Sequence, residues 1–310
     1  MPLATKVGIV GVGHVGATIA YATILEELAT EIVLIDQDER KAEGEMFDLN
    51  HGIAFSRNVA LKVGNYADLA DANIIIIAAG VSRKENQSRI DLIKINYEIL
   101  TDLIKKITQH NKAAILLIVS NPVDILTYAA YRISGYPWHR VIGSGTKLDS
   151  SRFRFFLSQK LNISPQSVNA YIIGEHGEHA VPVWSRAFIG GQLITEHKTF
   201  TTKEKEEVES DVKKAGMSVI KRKQVTNYAI ASSVTNILRA IIKNEKSIHT
   251  VSSCLNGFLG IHNISLSLPC VLGRAGIHEQ IHLGLSSIEE IAFKAGATAQ
   301  LEILKAINLA

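Results

Sequence analysis

Cysteine is scarce in this chain, since only Cys254 and Cys270 occur among its 310 residues. One disulfide is arithmetically possible, but two cysteines in so long a chain are more typical of buried thiols in a reducing compartment. Long apolar runs are also missing, because segments 74–79 and 115–119 are far shorter than the ~20 residues that cross a bilayer. With no secretory pattern after Met1, these absences predict a cytoplasmic protein without a membrane span.

The net charge is also small. The chain has 33 Lys and Arg against 30 Asp and Glu, a formal charge of +3, and no run of basic residues. A nucleic-acid binder would concentrate basic residues in a patch, so nucleic acid is not an expected partner. His176 and His179 lie close together, but no cysteine or carboxylate pattern completes a ligand set, and we predict no metal site.

Short apolar strands alternate with longer amphipathic stretches in the first half of the chain. The strands are apolar throughout rather than alternating, which favours a parallel sheet covered on both faces. The pattern predicts an α/β fold with a doubly wound parallel sheet, a Rossmann domain, over residues 1–143. The predicted strands are Lys6–Val10, Ile32–Ile35, Ala60–Val63, Asn73–Ala78, Ala114–Val119 and Val141–Ile142, and the predicted helices are Val15–Leu25, Arg40–Asn50, Asp91–Gln109 and Val123–Ile133.

The alternation of short strands and helices ends after residue 143. The pattern over residues 144–310 predicts an α+β substrate domain. Two strands are expected, at His249–Leu255 and Ile264–Leu272; the second contains Pro269, which favours an edge strand or a bulge. The highly charged stretch Thr202–Lys214 predicts a solvated helix. The other predicted helices are Asp149–Leu161, Asn227–Lys243 and Ser286–Asn308.

Three glycines follow the first predicted strand in the pattern G-x-G-x-x-G. Gly11 permits a tight turn, Gly13 lets the backbone approach a pyrophosphate, and Gly16 lets helix and strand pack closely. Asp36 ends the next strand, where a carboxylate accepts hydrogen bonds from the adenosine ribose hydroxyls. Since a carboxylate there would repel a 2′-phosphate, the pattern predicts NAD rather than NADP.

Four further motifs occur in one order along the chain: Ser88–Leu92, Ser120–Asp124, Leu148–Arg152 and Gly174–Gly177. In these motifs and the glycine loop, nearly the whole chain resembles the lactate/malate dehydrogenase family. The resemblance implies an NAD-dependent enzyme that transfers a hydride between the cofactor and a small L-2-hydroxy acid or 2-keto acid. The cofactor-binding residues that follow from it are Gly11, Gly13, Val15, Gly16, Asp36, Gly80 and Asn121.

The resemblance also assigns three catalytic residues and a residue that binds the substrate carboxylate. His176 is the expected acid/base for the substrate oxygen, since imidazole titrates near neutral pH. Asp149 would bind the other ring nitrogen and stabilise the imidazolium. Arg152, three residues further on, would grip the substrate carboxylate with its planar fork. Arg89 would polarise the substrate carbonyl.

Other parts of the pocket are implied in the same way. Asn121 would hydrogen-bond substrate or nicotinamide, and the family has a cis bond before the proline that follows it. Thr226 matches a threonine that closes the substrate pocket. The polar segment Val81–Ile90 could act as a mobile lid that closes over substrate and expels water.

Substrate choice is where the sequence departs from the family pattern. The position six residues before Arg89 carries glutamine in lactate enzymes and arginine in malate enzymes, and here it is Arg83. This cation would favour a dicarboxylate such as oxaloacetate unless Glu85 neutralises it. Glu175 and Thr226 argue against malate. We expect pyruvate and L-lactate, with malate or a broader 2-hydroxy acid range as alternatives.

Two further expectations concern assembly and regulation. The family suggests a homo-oligomer, a tetramer or a dimer. Many bacterial members are activated by fructose 1,6-bisphosphate through an arginine and a histidine; Arg154 matches the arginine, but Asn169 replaces the histidine. Activation is therefore predicted to be weak or absent. A catalytically silent NAD-binding protein is the alternative from a different class, and it would be free to lose the catalytic residues that this chain retains.

Overall fold

The computed structural model describes residues 5–56, 59–81, 88–197 and 200–309. Six parallel strands form the sheet of its first half: β1 (Lys6–Val10), β2 (Glu31–Ile35), β3 (Ala60–Val63), β4 (Ile74–Ile77), β5 (Ile115–Ile118) and β6 (Val141–Gly143). Their order in the sheet is β3-β2-β1-β4-β5-β6. This is the strand order of a dinucleotide-binding sheet and confirms the predicted doubly wound fold.

Four helices connect these strands: α1 (His14–Leu25), α2 (Glu39–Gly52), α3 (Arg89–His110) and α4 (Val123–Ser134). The Ser88 side chain caps α3 by accepting a hydrogen bond from the Asp91 amide at 3.0 Å. Gly135, in the left-handed conformation with φ of 68°, ends α4. The helix α3 begins two residues earlier than predicted, so Arg89 lies in its first turn and not in a loop.

The sheet buries both of its faces. β4 consists of four isoleucines, each at most 1% exposed. Ile74 and Ile76 pack into one hydrophobic cluster, and Ile75 and Ile77 pack into another on the opposite face. Because successive side chains of a strand point to opposite faces, continuous apolar runs such as this one fit a layer covered on both sides.

Antiparallel strands and four helices form the second half. β6 pairs with the long strand Ser247–Asn256 through Gly143 and Ser252, so one continuous sheet crosses the predicted division at residue 143. The division itself stays a prediction. The strands are β7 (Val168–Asn169), β8 (Ile172–Gly174), β9 (Ala180–Pro182), β10 (Phe188–Ile189), β11 (Gln192–Leu193), β12 (Ser247–Asn256), β13 (His262–Gly273) and β14 (Gly276–Gln280), and the helices are α5 (Lys147–Leu161), α6 (Thr202–Lys223), α7 (Tyr228–Ile242) and α8 (Ser287–Ala306).

Two predictions for this half were wrong in detail. The charged helix continues nine residues beyond Lys214, because the less charged residues that follow are also compatible with a helix. β13 is not an edge strand, since it pairs with β12 on one side and with β14 and β8 on the other. The alternative of a bulge agrees with the structure, because the register between β13 and β14 shifts between Val271 and Leu272. The Pro269 carbonyl accepts the Ile281 amide at 2.8 Å, just past the last residue of β14. The backbone N–H that proline lacks would point to the same side of β13 as this carbonyl, where β14 has already ended. Pro269 is therefore tolerated, because no strand pairing is lost.

The two cysteines are free thiols, with Cys270 buried and Cys254 half-buried. Burial raises the pKa of Cys254 to about 11 and that of Cys270 to about 12, so both are protonated at neutral pH. Among the described residues, none of the helices is long and apolar enough to span a membrane.

Candidate active site

The turn after β1 brings two strands and a helix into close contact. Gly11 has a φ of 95°, and a Cβ there would lie 2.4 Å from the Ala79 backbone nitrogen. A Cβ on Gly16 would lie 1.9 Å from the Gly11 carbonyl oxygen, so only glycine lets α1 start this close to β1. Gly13 faces open space, since the nearest atom to a Cβ there would be Lys41 Nζ at 3.9 Å. The first-turn amides of α1 are therefore approachable.

Asp36 closes the same turn from the end of β2. Its Oδ2 accepts the Val12 amide at 2.6 Å, and its Oδ1 accepts the Asp38 amide at 3.1 Å. A carboxylate has lone pairs left for further donors, such as ribose hydroxyls. A cleft of about 750 Å³ extends from this turn to α3 and is lined by residues that include Gly11, Gly13, Asp36, Lys41, Gly80 and Val81.

Asn96 holds the far wall of this cleft. Its Oδ1 accepts the Val81 amide at 2.9 Å, and its Nδ2 donates to the Asn121 carbonyl at 2.8 Å. A Cβ on Gly80 would lie 3.2 Å from the Asn96 Oδ1, so this wall is closely packed. One buried side chain on α3 thus fixes the two loops that follow β4 and β5. The bond between Asn121 and Pro122 is cis, as predicted, and the Asn121 side chain is exposed.

Two of the predicted catalytic residues and one predicted substrate-binding residue form one connected group. Asp149 lies in the first turn of α5, and its Oδ2 is 2.5 Å from His176 Nδ1. The Oδ1 of Asp149 accepts a hydrogen bond from Arg152 Nη1 at 3.0 Å. A single buried carboxylate therefore connects the imidazole and the guanidinium, which leaves His176 Nε2 available to a substrate.

The charges in this group favour a protonated imidazole. Burial alone would lower the pKa of His176, but the negative charge and hydrogen bond of Asp149 outweigh it and raise this pKa to about 9. Burial alone would raise the pKa of Asp149, but His176 and Arg152 hold it below its ordinary value. At neutral pH the pair is an imidazolium and a carboxylate, the form that can donate a proton to a keto oxygen.

Asp124 supports His176 from behind. Its Oδ2 accepts the backbone amide of His176 at 2.7 Å, and its Oδ1 accepts the Ser252 hydroxyl at 2.6 Å. Burial raises the pKa of Asp124 to about 6, against the opposing effect of these two hydrogen bonds. The residue is the last of the Ser120–Asp124 motif, but the sequence alone gave it no role.

Arg89 reaches the same loop from the first turn of α3. Its Nη2 donates a hydrogen bond to Glu175 Oε1 at 2.7 Å, and Glu175 immediately precedes His176 in the chain. The other oxygen of Glu175 lies 2.6 Å from His179 Nδ1. The Arg89 side chain is 44% exposed, whereas that of Glu175 is 2% exposed.

Arg152 and Thr226 line one cavity of about 470 Å³, next to α5 and the start of α7. In the described part of the chain, no hydrogen bond connects Thr226 or Asn121 directly to His176. Val15 is half-buried and packs into the core rather than lining the cleft. The predicted specificity residue Arg83 and its neighbour Glu85 lie outside the described residues, as does most of the predicted lid.

The residues around the cleft fit a dinucleotide. Close backbone packing at Gly11 and Gly16, the approachable turn at Gly13 and the carboxylate of Asp36 match the needs of a pyrophosphate and a ribose. Within the described residues, no group of three or more metal-ligating side chains could hold a metal ion.

Comparison with known proteins agrees with this arrangement. Residues 5–143 match the model of the lactate/malate dehydrogenase NAD binding domain, and residues 146–308 match that of the alpha/beta C-terminal domain of the same family. The chain belongs to the lactate/malate dehydrogenase family. NAD is therefore the cofactor of its N-terminal region.

Several family members are similar over their full length. An L-lactate dehydrogenase of a Thermoanaerobacter species is 45% identical over 98% of this chain and 99% of the relative. One from Acetivibrio thermocellus is 43% identical over 98% of both chains. The crystal structure of a minor L-lactate dehydrogenase from Enterococcus mundtii superposes with a TM-score of 0.96 at 38% identity, covering 99% of both chains.

Proposed function

We propose that this chain is an NAD-dependent L-lactate dehydrogenase, which interconverts pyruvate and L-lactate. The observation that carries the proposal is the double hydrogen bonding of Asp149, whose carboxylate connects the His176 imidazole and the Arg152 guanidinium. The full-length similarity to curated L-lactate dehydrogenases supports it. A silent NAD-binding protein would have no need of this connected group.

The proposed roles follow from the chemistry of each side chain. Arg152 binds the substrate carboxylate, and its remaining donors suit a two-pronged grip. His176, as imidazolium, donates a proton from Nε2 to the keto oxygen as pyruvate is reduced, and Asp149 retains the negative charge that stabilises it. Arg89 supplies positive charge where negative charge develops on that oxygen. Bound NADH would supply the hydride. The residues that would hold this cofactor are those of the turn at Gly11–Gly16, Asp36 and Gly80.

Steady-state assays of NADH oxidation with pyruvate, oxaloacetate and 2-ketoisocaproate test this proposal. We expect the highest kcat/KM for pyruvate. A preference for oxaloacetate would instead favour malate dehydrogenase, in which Arg83 pairs with the second carboxylate. Arg83→Gln should then remove that preference, whereas Lys84→Gln in the same segment serves as a matched control for a change of charge alone.

Assembly, location and regulation belong to the same proposal. We infer a cytoplasmic homo-oligomer, a dimer or a tetramer, which light scattering can measure. Arg154 is half-buried on α5 and Asn169 is exposed on β7. A single half-buried arginine without a second cationic partner at position 169 is a poor match for a bisphosphate. A titration with fructose 1,6-bisphosphate should change the rate little, and strong activation would refute this part.

A further inference from the structure

The carboxylate of Glu175 is held from both sides. Oε1 accepts a hydrogen bond from Arg89 Nη2 at 2.7 Å, and Oε2 lies 2.6 Å from His179 Nδ1 and 3.3 Å from the His179 amide. The side chain is only 2% exposed. Burial alone would raise the pKa of Glu175, but His179 and Arg89 hold it below its ordinary value, so the group is ionised at neutral pH.

Gly177 gives an independent sign that this orientation matters. A Cβ on Gly177 would lie 2.9 Å from Glu175 Oε1, the oxygen that binds Arg89. A larger residue would have to displace a carboxylate that two partners already fix. The glycine after His176 therefore keeps space for the Glu175 carboxylate in the conformation that reaches Arg89.

We propose that Glu175 is the positioning residue for Arg89, holding its guanidinium beside His176 so that its other donors face the substrate carbonyl, and that His179 fixes the Glu175 carboxylate. This inference rests on the proposed function and adds a specific role within the same site. It is carried by the two-sided hydrogen bonding of a buried carboxylate and by the adjacency of Glu175 and His176 in the chain.

The physical reason is the freedom of the arginine side chain. Arg89 is the first residue of α3, its side chain is 44% exposed, and a long side chain loses much rotamer freedom when it is fixed. A guanidinium has five N–H donors, and Glu175 takes one through Nη2. The ion pair fixes the direction of the fork before substrate arrives, and prior positioning of charge is what stabilises a developing oxyanion.

A double-mutant cycle in the intact enzyme tests the inference. Glu175→Ala should lower kcat for pyruvate by about 10²-fold, close to the loss in Arg89→Ala, because removing one oxyanion donor has an effect of that order. Glu175→Gln should lower kcat less than Glu175→Ala, since the amide oxygen of glutamine can still accept a hydrogen bond from Arg89. KM should change less than kcat, because the contact strengthens as charge develops on the oxygen. In the Arg89→Ala background, Glu175→Ala should cause no further loss.

Controls separate this role from a structural one. Each variant is checked for unchanged NADH affinity by fluorescence and for its melting temperature, and Glu178→Gln, an exposed glutamate in the same loop, should keep wild-type activity. Three outcomes would overturn the inference: a kcat of the double variant reduced by the product of the two single losses, a change confined to KM, or a higher kcat after Glu175→Ala. A wild-type protein that does not oxidise NADH with pyruvate would instead refute the proposed function.

Discussion

Two histidines in this molecule occupy pockets of opposite charge. Burial acts to lower the pKa of both, yet that of His176 rises to about 9, while that of His249 falls to about 3. Two carboxylates, Asp149 and Asp124, and one cation, Arg152, face His176, so the carboxylates prevail there. Of the residues that the structure describes, three cations and no carboxylate act on the pKa of His249: Lys147, Arg239 and Arg154.

The remaining contacts follow the same division. His176 binds a carboxylate through Nδ1, while His249 Nδ1 has no hydrogen-bond partner in the described part of the chain and its Nε2 lies 2.8 Å from the Ser247 hydroxyl. Burial lowers the pKa in both pockets and is the largest single cause in each, so the opposite outcome at His176 comes from its carboxylate neighbours, chiefly Asp149. Of these two rings, His176 is the one that holds a proton for a substrate at neutral pH.

The largest effect should come from removing the catalytic ring. His176→Asn is expected to lower kcat for pyruvate by about 10²–10⁴-fold, the usual contribution of a positioned general acid. His249→Asn is the matched substitution in the other pocket and should keep a near wild-type kcat. Comparable losses in both variants, measured at saturating NADH, would show that the two pockets do not differ in the way described.

Neutralising the partner of His176 should come next. Asp149→Asn removes the charge that raises the pKa of this ring, and we expect a loss of about 10²-fold or more in kcat. Pyruvate reduction needs the imidazolium, so kcat/KM should fall as pH rises through about 9 in the wild type. In the variant this fall should begin at lower pH. A pH profile that keeps its position would contradict the assigned role of Asp149.

Changing the guanidinium of the same pocket should have a smaller effect. Arg152→Lys keeps the positive charge but removes the planar guanidinium fork, and with it the hydrogen bond from Nη1 to Asp149. We expect kcat/KM for pyruvate to fall by about 10–100-fold, mostly through KM, since one or two charge-assisted hydrogen bonds are lost. An unchanged KM would mean that the substrate carboxylate binds elsewhere.

The smallest effect concerns stability in acid. Between pH 6.5 and about 3 the unfolded chain protonates His249 while the folded chain does not, so the free energy of unfolding falls as pH falls through this range. His249→Asn should reduce this loss by up to about 1.4 kcal/mol per pH unit. Lys147→Met should reduce it less, by removing one repelling cation. Parallel melting curves of variants and wild type from pH 7 to pH 4 would contradict the explanation.

The sequence predicted those parts of the site that depend on local geometry. Gly11 and Gly16 are recognisable because backbone packing there excludes every side chain, and Asp149 and Arg152 share a helix face through their spacing. The continuous apolar run of β4 likewise predicted a strand buried on both sides.

The contacts between distant segments could not be predicted. Asp124 accepts a hydrogen bond from the hydroxyl of Ser252, 128 positions away in the chain. Arg89 donates one to Glu175, 86 positions away. No periodicity connects such pairs, because only the folded sheet brings β12 and the loop after β8 beside α3 and α4. Strands of two or three residues, such as β7 and β10, are also too short to show an alternating pattern.

A crystal structure with NADH and the pyruvate analogue oxamate would show whether His176 and Arg152 bind one substrate together. We expect the oxamate carboxylate on the Arg152 fork and its amide oxygen within hydrogen-bond distance of His176 Nε2, while Asp149 still binds both residues. An analogue bound away from either side chain would contradict this expectation.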